Sequence, residues 1–160
     1  MLKFIPSAAL AVGLVAATGF QAFSAQRSAG TITIQRDPGC GCCLKWVSYL
    51  EQAGFTATVT ESSEMAAIKK SKGVPDAARS CHTGTIDGYV VEGHVPAADI
   101  KRMLKERPAI VGIGVPGMPA GSPGMEVASG LVQPFDVVAF DKAGRLTVFA
   151  SHAGKPARSR

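Results

Sequence analysis

The chain has 160 residues, which is the size of one domain and enough to bury a hydrophobic core. Its formal net charge is +5, yet it holds one Trp and two Tyr, and no basic stripe alternates with aromatic residues. This composition does not mark a nucleic-acid-binding surface, so we expect no nucleic-acid partner.

The beginning of the chain has the pattern of a secretory signal peptide. Lys3 gives a positive start, an apolar run extends from Phe4 to about Phe20, and the small residues Ser24 and Ala25 follow. The run is short for a membrane-spanning helix, so we expect cleavage near Ser24 or Ala25, with an uncleaved anchor as the alternative. We therefore expect a periplasmic protein that is free of the membrane after cleavage. The predicted segments are a signal peptide (1–25), a folded domain (26–152) and a disordered basic tail (153–160).

The first predicted strand leads directly into a group of cysteines. Residues 31–35 alternate polar and apolar, and Asp37-Pro38-Gly39 forms a turn. Apolar residues then recur at helical spacing until Gly54, so Cys42 and Cys43 lie in the first turn of a helix. Exposed backbone N–H groups and the helix dipole at this end favour negative charge, which lowers the pKa of a thiol.

A second strand and helix follow, and they complete a βαβα unit. Residues 55–60 alternate strictly, and Ser63 can cap a helix that runs through Met65 to Lys72. The cysteines then lie at the carboxyl end of the first strand, the edge at which open α/β sheets bind ligands.

The dipeptide Asp87-Gly88 predicts a tight hairpin turn. A two-residue turn pairs Ile86 with Tyr89, Thr85 with Val90 and Thr83 with Glu92. Extending this register places Cys81 opposite His94, close enough for a thiol and an imidazole to share a metal ion. The same alternation sends His82 to the opposite face, unless the strand breaks there.

The remainder of the chain completes an α/β domain. Pro96 opens a helix that Pro108 closes, and residues 115–126 form a loop rich in Gly and Pro. Two strands over 135–140 and 146–150 form a C-terminal hairpin.

Three of the four cysteines, Cys40, Cys42 and Cys43, lie within four residues. One disulfide among them leaves an odd sulfur, whereas crowded thiolates suit soft metal ions or thiol–disulfide exchange. Two stapling disulfides, formed with Cys81, are a structural alternative for an exported protein. The compressed spacing argues against them, because a disulfide stabilises most when it closes a long loop.

Two methionines extend the set of candidate ligands. Met118 and Met125 lie among glycines and prolines, where no helical or strand pattern would bury them, and thioethers bind Cu(I). Zinc in a Cys₃His site is the competing metal, but C-x-C-C is compressed for three cysteines on one zinc ion. The candidate metal ligands are Cys40, Cys42, Cys43, Cys81, His94, Met118 and Met125.

A redox function is a separate alternative. Cys40 and Cys43 have the C-x-x-C spacing of thioredoxin-like enzymes at a strand-to-helix junction. Cys40 would be the attacking thiol and Cys43 the resolving one. Cys42, between them, departs from that pattern because it offers a competing disulfide.

Five motifs in order give the chain a family resemblance. They are C-G-C-C-x-x-W (40–46), G-V-P (73–75), S-C-H-T (80–83), G-Y-V-V-E-G-H-V-P-A (88–97) and V-P-G-M-P-x-G-S-P-G-M-E (115–126). From about residue 31 to 150 the chain resembles the exported metal-binding proteins of bacterial copper-resistance clusters called CopG. The resemblance implies a thioredoxin-like α/β fold, a mixed sheet with flanking helices and an added C-terminal β-hairpin.

The resemblance also implies copper as the bound metal. It implies ligation by the four cysteines, with His94 and Met118 or Met125 nearby, a small Cu(I)–thiolate cluster, and interconversion of Cu(I) and Cu(II). Copper ions, periplasmic copper carriers and efflux components are the expected partners. We expect a metal-binding protein rather than an enzyme, with copper oxidoreductase activity, thiol–disulfide exchange and a structural zinc or disulfide module as alternatives.

Overall fold

A seven-stranded mixed sheet organises the chain in the computed structural model, which describes residues 28–158. The predicted signal peptide (1–25) lies outside the described residues. Within 28–158, none of the helices is long and apolar enough to span a bilayer.

The strands are β1 (Thr31–Arg36), β2 (Thr56–Glu61), β3 (His82–Ile86), β4 (Tyr89–Glu92), β5 (Gly112–Gly114), β6 (Phe135–Phe140) and β7 (Leu146–His152). The helices are α1 (Gly41–Gln52), α2 (Met65–Ser71) and α3 (Ala97–Glu106), with one 3₁₀ turn at Asp76–Ala78. Strand order in the sheet is β2-β1-β3-β4-β5-β6-β7. Strands β1 and β2 are parallel, as are β4 and β5, and the other pairs are antiparallel.

The predicted α/β class, mixed sheet and C-terminal hairpin are confirmed. The order of the first four strands, joined as β-α-β-α-β-β-α, is compatible with the thioredoxin-like arrangement implied by the resemblance. The added strand β5 connects this part of the sheet to the β6–β7 hairpin.

The hairpin register predicted from Asp87-Gly88 is also confirmed. Ile86 pairs with Tyr89, Thr85 with Val90 and Thr83 with Glu92. Asp87 and Gly88 both have positive φ, at 48° and 84°. Positive φ at both central residues is what a type I′ turn requires, and it matches the twist of the two strands.

The core lies between the sheet and its helices. Alternate residues of β1, Ile32 and Ile34, are fully buried, as their polar–apolar alternation predicts. From α1, Trp46 and Leu50 join the same hydrophobic cluster. The Trp46 indole N–H donates a hydrogen bond to the Val95 carbonyl at 2.9 Å, so α1 is fixed to the segment after β4.

Two local features differ from what the sequence predicted. Ser63 does not cap α2, because the helix begins at Met65 and Glu64 occupies the cap position. Strand β5 was not predicted, since three residues with glycine at both ends carry no periodic signal. In the segment predicted as a tail, Lys155 pairs with Val132 in an isolated bridge, and the boundary of the tail stays a prediction.

Candidate metal centre

The first part of the site is the junction between β1 and α1. Cys40 occupies the N-cap position of α1, and Cys42 and Cys43 lie in its first turn, as predicted. Cys43 is fully buried, whereas Cys40 and Cys42 are partly exposed. The helix start therefore presents sulfur atoms toward both the core and the surface.

A buried arginine holds this junction in place. The Arg36 Nη1 group donates to the carbonyls of Asp37, Pro38 and Cys40 at 3.0, 3.2 and 3.2 Å. Its Nη2 group pairs with the Glu61 carboxylate of the neighbouring strand. Since the Arg36 side chain is 8% exposed, one guanidinium fixes the turn that leads to the first cysteine.

The four cysteines come together at one point. Sulfur atoms of Cys40, Cys42, Cys43 and Cys81 all lie within 4.8 Å of one another. Cys40 and Cys43 form a disulfide, and Cys42 and Cys81 are free thiols. The Cys42 sulfur lies 3.5 Å from that of Cys40. The cluster is thus capable of metal binding, and its C-x-x-C pair can exist as a disulfide.

Cys81 reaches the cluster from the β3–β4 hairpin. The extended register predicted a contact between Cys81 and His94, and the Cys81 sulfur lies 3.1 Å from His94 Nε2. Burial raises the pKa of the Cys81 thiol to about 11, and the charge of Cys42 acts in the same direction. The metal-free thiol is therefore protonated at neutral pH, and a metal ion must displace its proton.

The orientation of His94 is set by a backbone carbonyl. Its Nδ1 atom lies 2.8 Å from the Pro123 oxygen, which can only accept, so Nδ1 carries the proton. Burial lowers the pKa of His94, so the ring is neutral and Nε2 keeps a free lone pair facing Cys81. A second hydrogen bond of this kind is what orients histidines that ligate metals.

His82 does not lie on the opposite face from Cys81, because the strand breaks between the two residues, which is the exception that the prediction allowed. Its Nδ1 atom lies 3.2 Å from the Cys81 sulfur, and its ring packs against Trp46 with 4.3 Å between centroids. Strand β3 begins at His82, and Cys81 lies in the bend before it, so strand alternation does not separate the two side chains. The direct succession of Cys81 and His82 in the sequence was the signal for this contact.

A buried ion pair behind Cys81 was not predicted. Lys69 Nζ lies 2.6 Å from Glu92 Oε1, with side-chain exposures of 6% and 0%. The same carboxylate accepts hydrogen bonds from the Thr83 hydroxyl at 2.7 Å and the Ser80 N–H at 2.7 Å. The residue before Cys81 is therefore anchored by charge buried in the core.

The loop with the two candidate methionines packs against the site. The Ser80 hydroxyl donates a hydrogen bond to the Gly117 carbonyl. Gly124 lies so close to α1 that a Cβ at this position would be 2.7 Å from the backbone nitrogen of Trp46. Met118 is 52% exposed and Met125 is partly buried. Ligation by either thioether stays a prediction.

Two solved structures are similar to this chain. One, described as "Copper resistance protein copG- Form 2", is 47% identical with a TM-score of 0.73, and the match covers 78% of this chain and 98% of that one. The other, "Copper resistance protein copG- Form 1", is 48% identical with a TM-score of 0.71, covering 76% and 96%. No curated protein sequence matches the chain. The family described as "Protein of unknown function, DUF411" matches residues 78–125, the segment that contains Cys81, His94, Met118 and Met125.

Proposed function

Because the chain belongs to the family of the copper resistance protein CopG, we propose that it binds Cu(I) and contributes to copper resistance. The ligands in this proposal are Cys40, Cys42, Cys43 and Cys81, with His94 beside them. Copper is the cargo of the site, and thiolates hold it.

One observation carries the proposal, the convergence of four cysteine sulfurs within 4.8 Å. Soft thiolate ligands select Cu(I), and four such sulfurs with an adjacent imidazole exceed the needs of one two- or three-coordinate ion. The surplus of ligands favours more than one copper ion bridged by sulfur. Zinc is disfavoured because three sulfurs from C-x-C-C are compressed for a single tetrahedral ion.

Full binding requires that the Cys40–Cys43 disulfide be reduced, since thiolates rather than disulfide sulfurs are the ligands. Two electrons and two protons convert the disulfide to two thiols, and a thiol reductant in the same compartment can supply them. Cu(I) then displaces the thiol protons. We also propose that the protein acts in the periplasm, exchanges copper with carriers or efflux components, and interconverts Cu(I) and Cu(II) by exchanging one electron per ion with an external redox partner.

The experiment that tests copper binding is an anaerobic titration of the fully reduced protein with Cu(I) against a competing chelator. We expect sub-nanomolar affinity in the wild type and a loss of about 100-fold or more in Cys42→Ser. Ser48→Ala, a change on the exposed face of α1, is the matched control. Unchanged affinity in Cys42→Ser, or one equivalent of co-purified zinc that Cu(I) cannot displace, would overturn the proposal.

The disulfide itself favours a second candidate function, thiol–disulfide exchange with other proteins. Cys40 and Cys43 have the required spacing and form the bond at a helix start. Cys40→Ser should then abolish reduction of a disulfide-bonded protein substrate in the presence of a dithiol, while Cys81→Ser should leave it largely intact. If the wild type shows no such activity above the free dithiol, this second function is wrong.

A further inference from the structure

Strand β2 stands at one end of the sheet and pairs only with β1 among residues 28–158. The N–H groups of Thr56 and Ser62 donate to carbonyls at the two ends of the β1 segment, both at 2.9 Å. Because backbone groups alternate in direction along a strand, the even-numbered residues of β2 bond to β1. The residues whose N–H and C=O groups point away from the sheet are Ala57, Val59 and Glu61.

This outer edge of β2 is unprotected. Natural sheets protect an edge strand with proline, lysine or a bulge. At the other end of the sheet, the pairing of β7 with β6 is irregular between Val137 and Val138. Strand β2 has a continuous register over its whole length and holds neither proline nor lysine. Its one charged residue, Glu61, is already paired with Arg36. The edge is therefore suited to pairing with another strand.

A second copy of β2 is complementary to this edge. In antiparallel pairing, opposed residues exchange two hydrogen bonds at every second position. With a two-fold axis at Val59, this residue faces its own copy, and Ala57 faces Glu61 of the second copy. All the outward-pointing residues of both strands then occupy hydrogen-bonded positions. An axis at any other residue leaves at least one of them outside the strand pair.

Helix α1 adds an apolar contact on the same side. The Tyr49 hydroxyl accepts a hydrogen bond from the Ala97 N–H at 3.1 Å, so this side of α1 faces α3. Leu44 lies about 140° around the helix from Tyr49, on the side away from α3 and toward the β2 edge. Its side chain is 46% exposed. The axis at Val59 brings α1 of a second copy alongside in the antiparallel direction, where it covers Leu44.

We infer that this protein forms a two-fold dimer in which the two β2 strands pair antiparallel and join the two sheets into one. The inference does not depend on the proposed copper function. Each copy has a formal net charge of +5, but β2 has no positive side chain, so this edge does not repel its copy. The paired edge is about 20 Å long, which makes a small interface and a reversible dimer with a dissociation constant of about micromolar size.

Sedimentation equilibrium of the purified protein, over about 1 to 500 μM, tests the dimer. A reductant and a chelator are present, so that neither disulfides nor shared metal ions link two copies. Val59→Pro removes the central outward N–H and keeps every bond to β1, and it should weaken the dimer by at least about 30-fold. Val148→Pro, on the opposite edge strand β7, is the matched control and should leave the dimer unchanged. Circular dichroism checks the fold of both variants.

Charge at position 57 tests the register without proline. Ala57→Lys places an ammonium opposite Glu61 of the second copy, twice by symmetry, and should strengthen the dimer by about fivefold. Ala57→Glu should weaken it by a similar factor, because like charges then oppose each other. Thr58→Lys, which adds the same charge opposite Thr60, should change the dissociation constant little. Equal shifts in the two Ala57 variants would overturn this register.

Hydrogen exchange measures the edge directly. The amides of Ala57 and Val59 should exchange more slowly as the protein concentration rises, whereas that of Thr58 should be protected at every concentration. A protein that sediments as a monomer throughout this range would overturn the dimer. Slow exchange of Ala57 and Val59 in a monomer would also overturn it, because another segment of the same chain would then cover β2.

Discussion

The backbone N–H of Ser80 lies 2.7 Å from the carboxylate of Glu92, so the segment that positions Cys81 is tied to a fully buried charge. Lys69 neutralises that charge from α2. Glu92→Gln should therefore destabilise the fold by about 3–5 kcal/mol, because it leaves the Lys69 ammonium buried without its partner. Urea unfolding measures this change.

The matched control for the buried pair is Arg145→Gln, which breaks an ion pair at the protein surface. We expect little change in the unfolding midpoint there, because exposed pairs contribute little. Replacing both partners, as in Lys69→Met with Glu92→Leu, should recover much of the lost stability. A Glu92→Gln variant no less stable than Arg145→Gln would contradict the stabilising role of the buried pair between Lys69 and Glu92.

Copper affinity should depend on pH through Cys81. The pKa of this thiol is raised to about 11, so it is protonated at neutral pH, and Cu(I) binding releases its proton. Raising the pH therefore favours binding, by about tenfold per pH unit for each thiol proton that is released. Competition titrations at pH 6, 7 and 8 measure the slope. Cys81→Ser should lower that slope by about one proton, and equal slopes in the two proteins would count against this role.

Arg36 should control copper affinity without contacting copper. Arg36→Gln removes the guanidinium that binds the carbonyls of Asp37, Pro38 and Cys40, so the turn before α1 loses its anchor. We expect Cu(I) affinity to fall by about tenfold, as for residues that orient metal ligands. Arg102→Gln, which alters an arginine on α3, should leave the affinity unchanged. Equal affinities in wild type and Arg36→Gln would show that the turn holds its shape unaided.

Gly124 and Gly117 allow a matched test of how closely the loop 115–126, which carries Met118 and Met125, packs against α1. Both have positive φ, at +82° and +68°. Only at Gly124 would an added Cβ collide with α1, because it would lie 2.7 Å from the backbone nitrogen of Trp46. Both alanine variants carry the backbone penalty of about 1 kcal/mol, and Gly124→Ala should lose considerably more. Fluorescence of Trp46, the chain's single tryptophan, reports both unfolding and displacement of the loop. Equal free energies of unfolding for Gly124→Ala and Gly117→Ala would mean that the loop moves away from α1 without cost.

The methionines can be tested directly. If Met118 and Met125 ligate Cu(I), Met118→Leu and Met125→Leu should each weaken binding by about tenfold, while the core change Met103→Leu should not. X-ray absorption of the copper-loaded protein distinguishes sulfur from nitrogen ligands. Unaltered affinity and spectra in both loop variants would remove the thioethers from the ligand set.

The sequence predicted the parts of the fold that have local signals. Alternation predicted β1 and β2, helical spacing predicted α1, and Asp87-Gly88 fixed the register that brings Cys81 to His94. Each signal lies within a few residues of the structure it specifies. The C-terminal hairpin was also predicted, but its second strand extends to His152, two residues beyond the predicted end at residue 150.

The features that were missed depend on contacts between distant segments. Strand β5 pairs through its backbone and has only three residues, so its side chains carry no pattern. Lys69 and Glu92 lie 23 residues apart, and nothing in the sequence around either residue specifies their pairing. His82 lies beside Cys81 and not on the opposite face because β3 begins at His82, a strand break that the sequence pattern left open.

The disulfide between Cys40 and Cys43 has a practical consequence for anyone who measures this protein. Two of the four clustered sulfurs bind metal only when the disulfide is reduced. The measured ratio of metal to protein therefore depends on the oxidation state of the sample as well as on affinity. Protein purified in air and protein purified under a reductant would give two different stoichiometries from one sequence. Counting free thiols alongside metal makes such stoichiometries comparable.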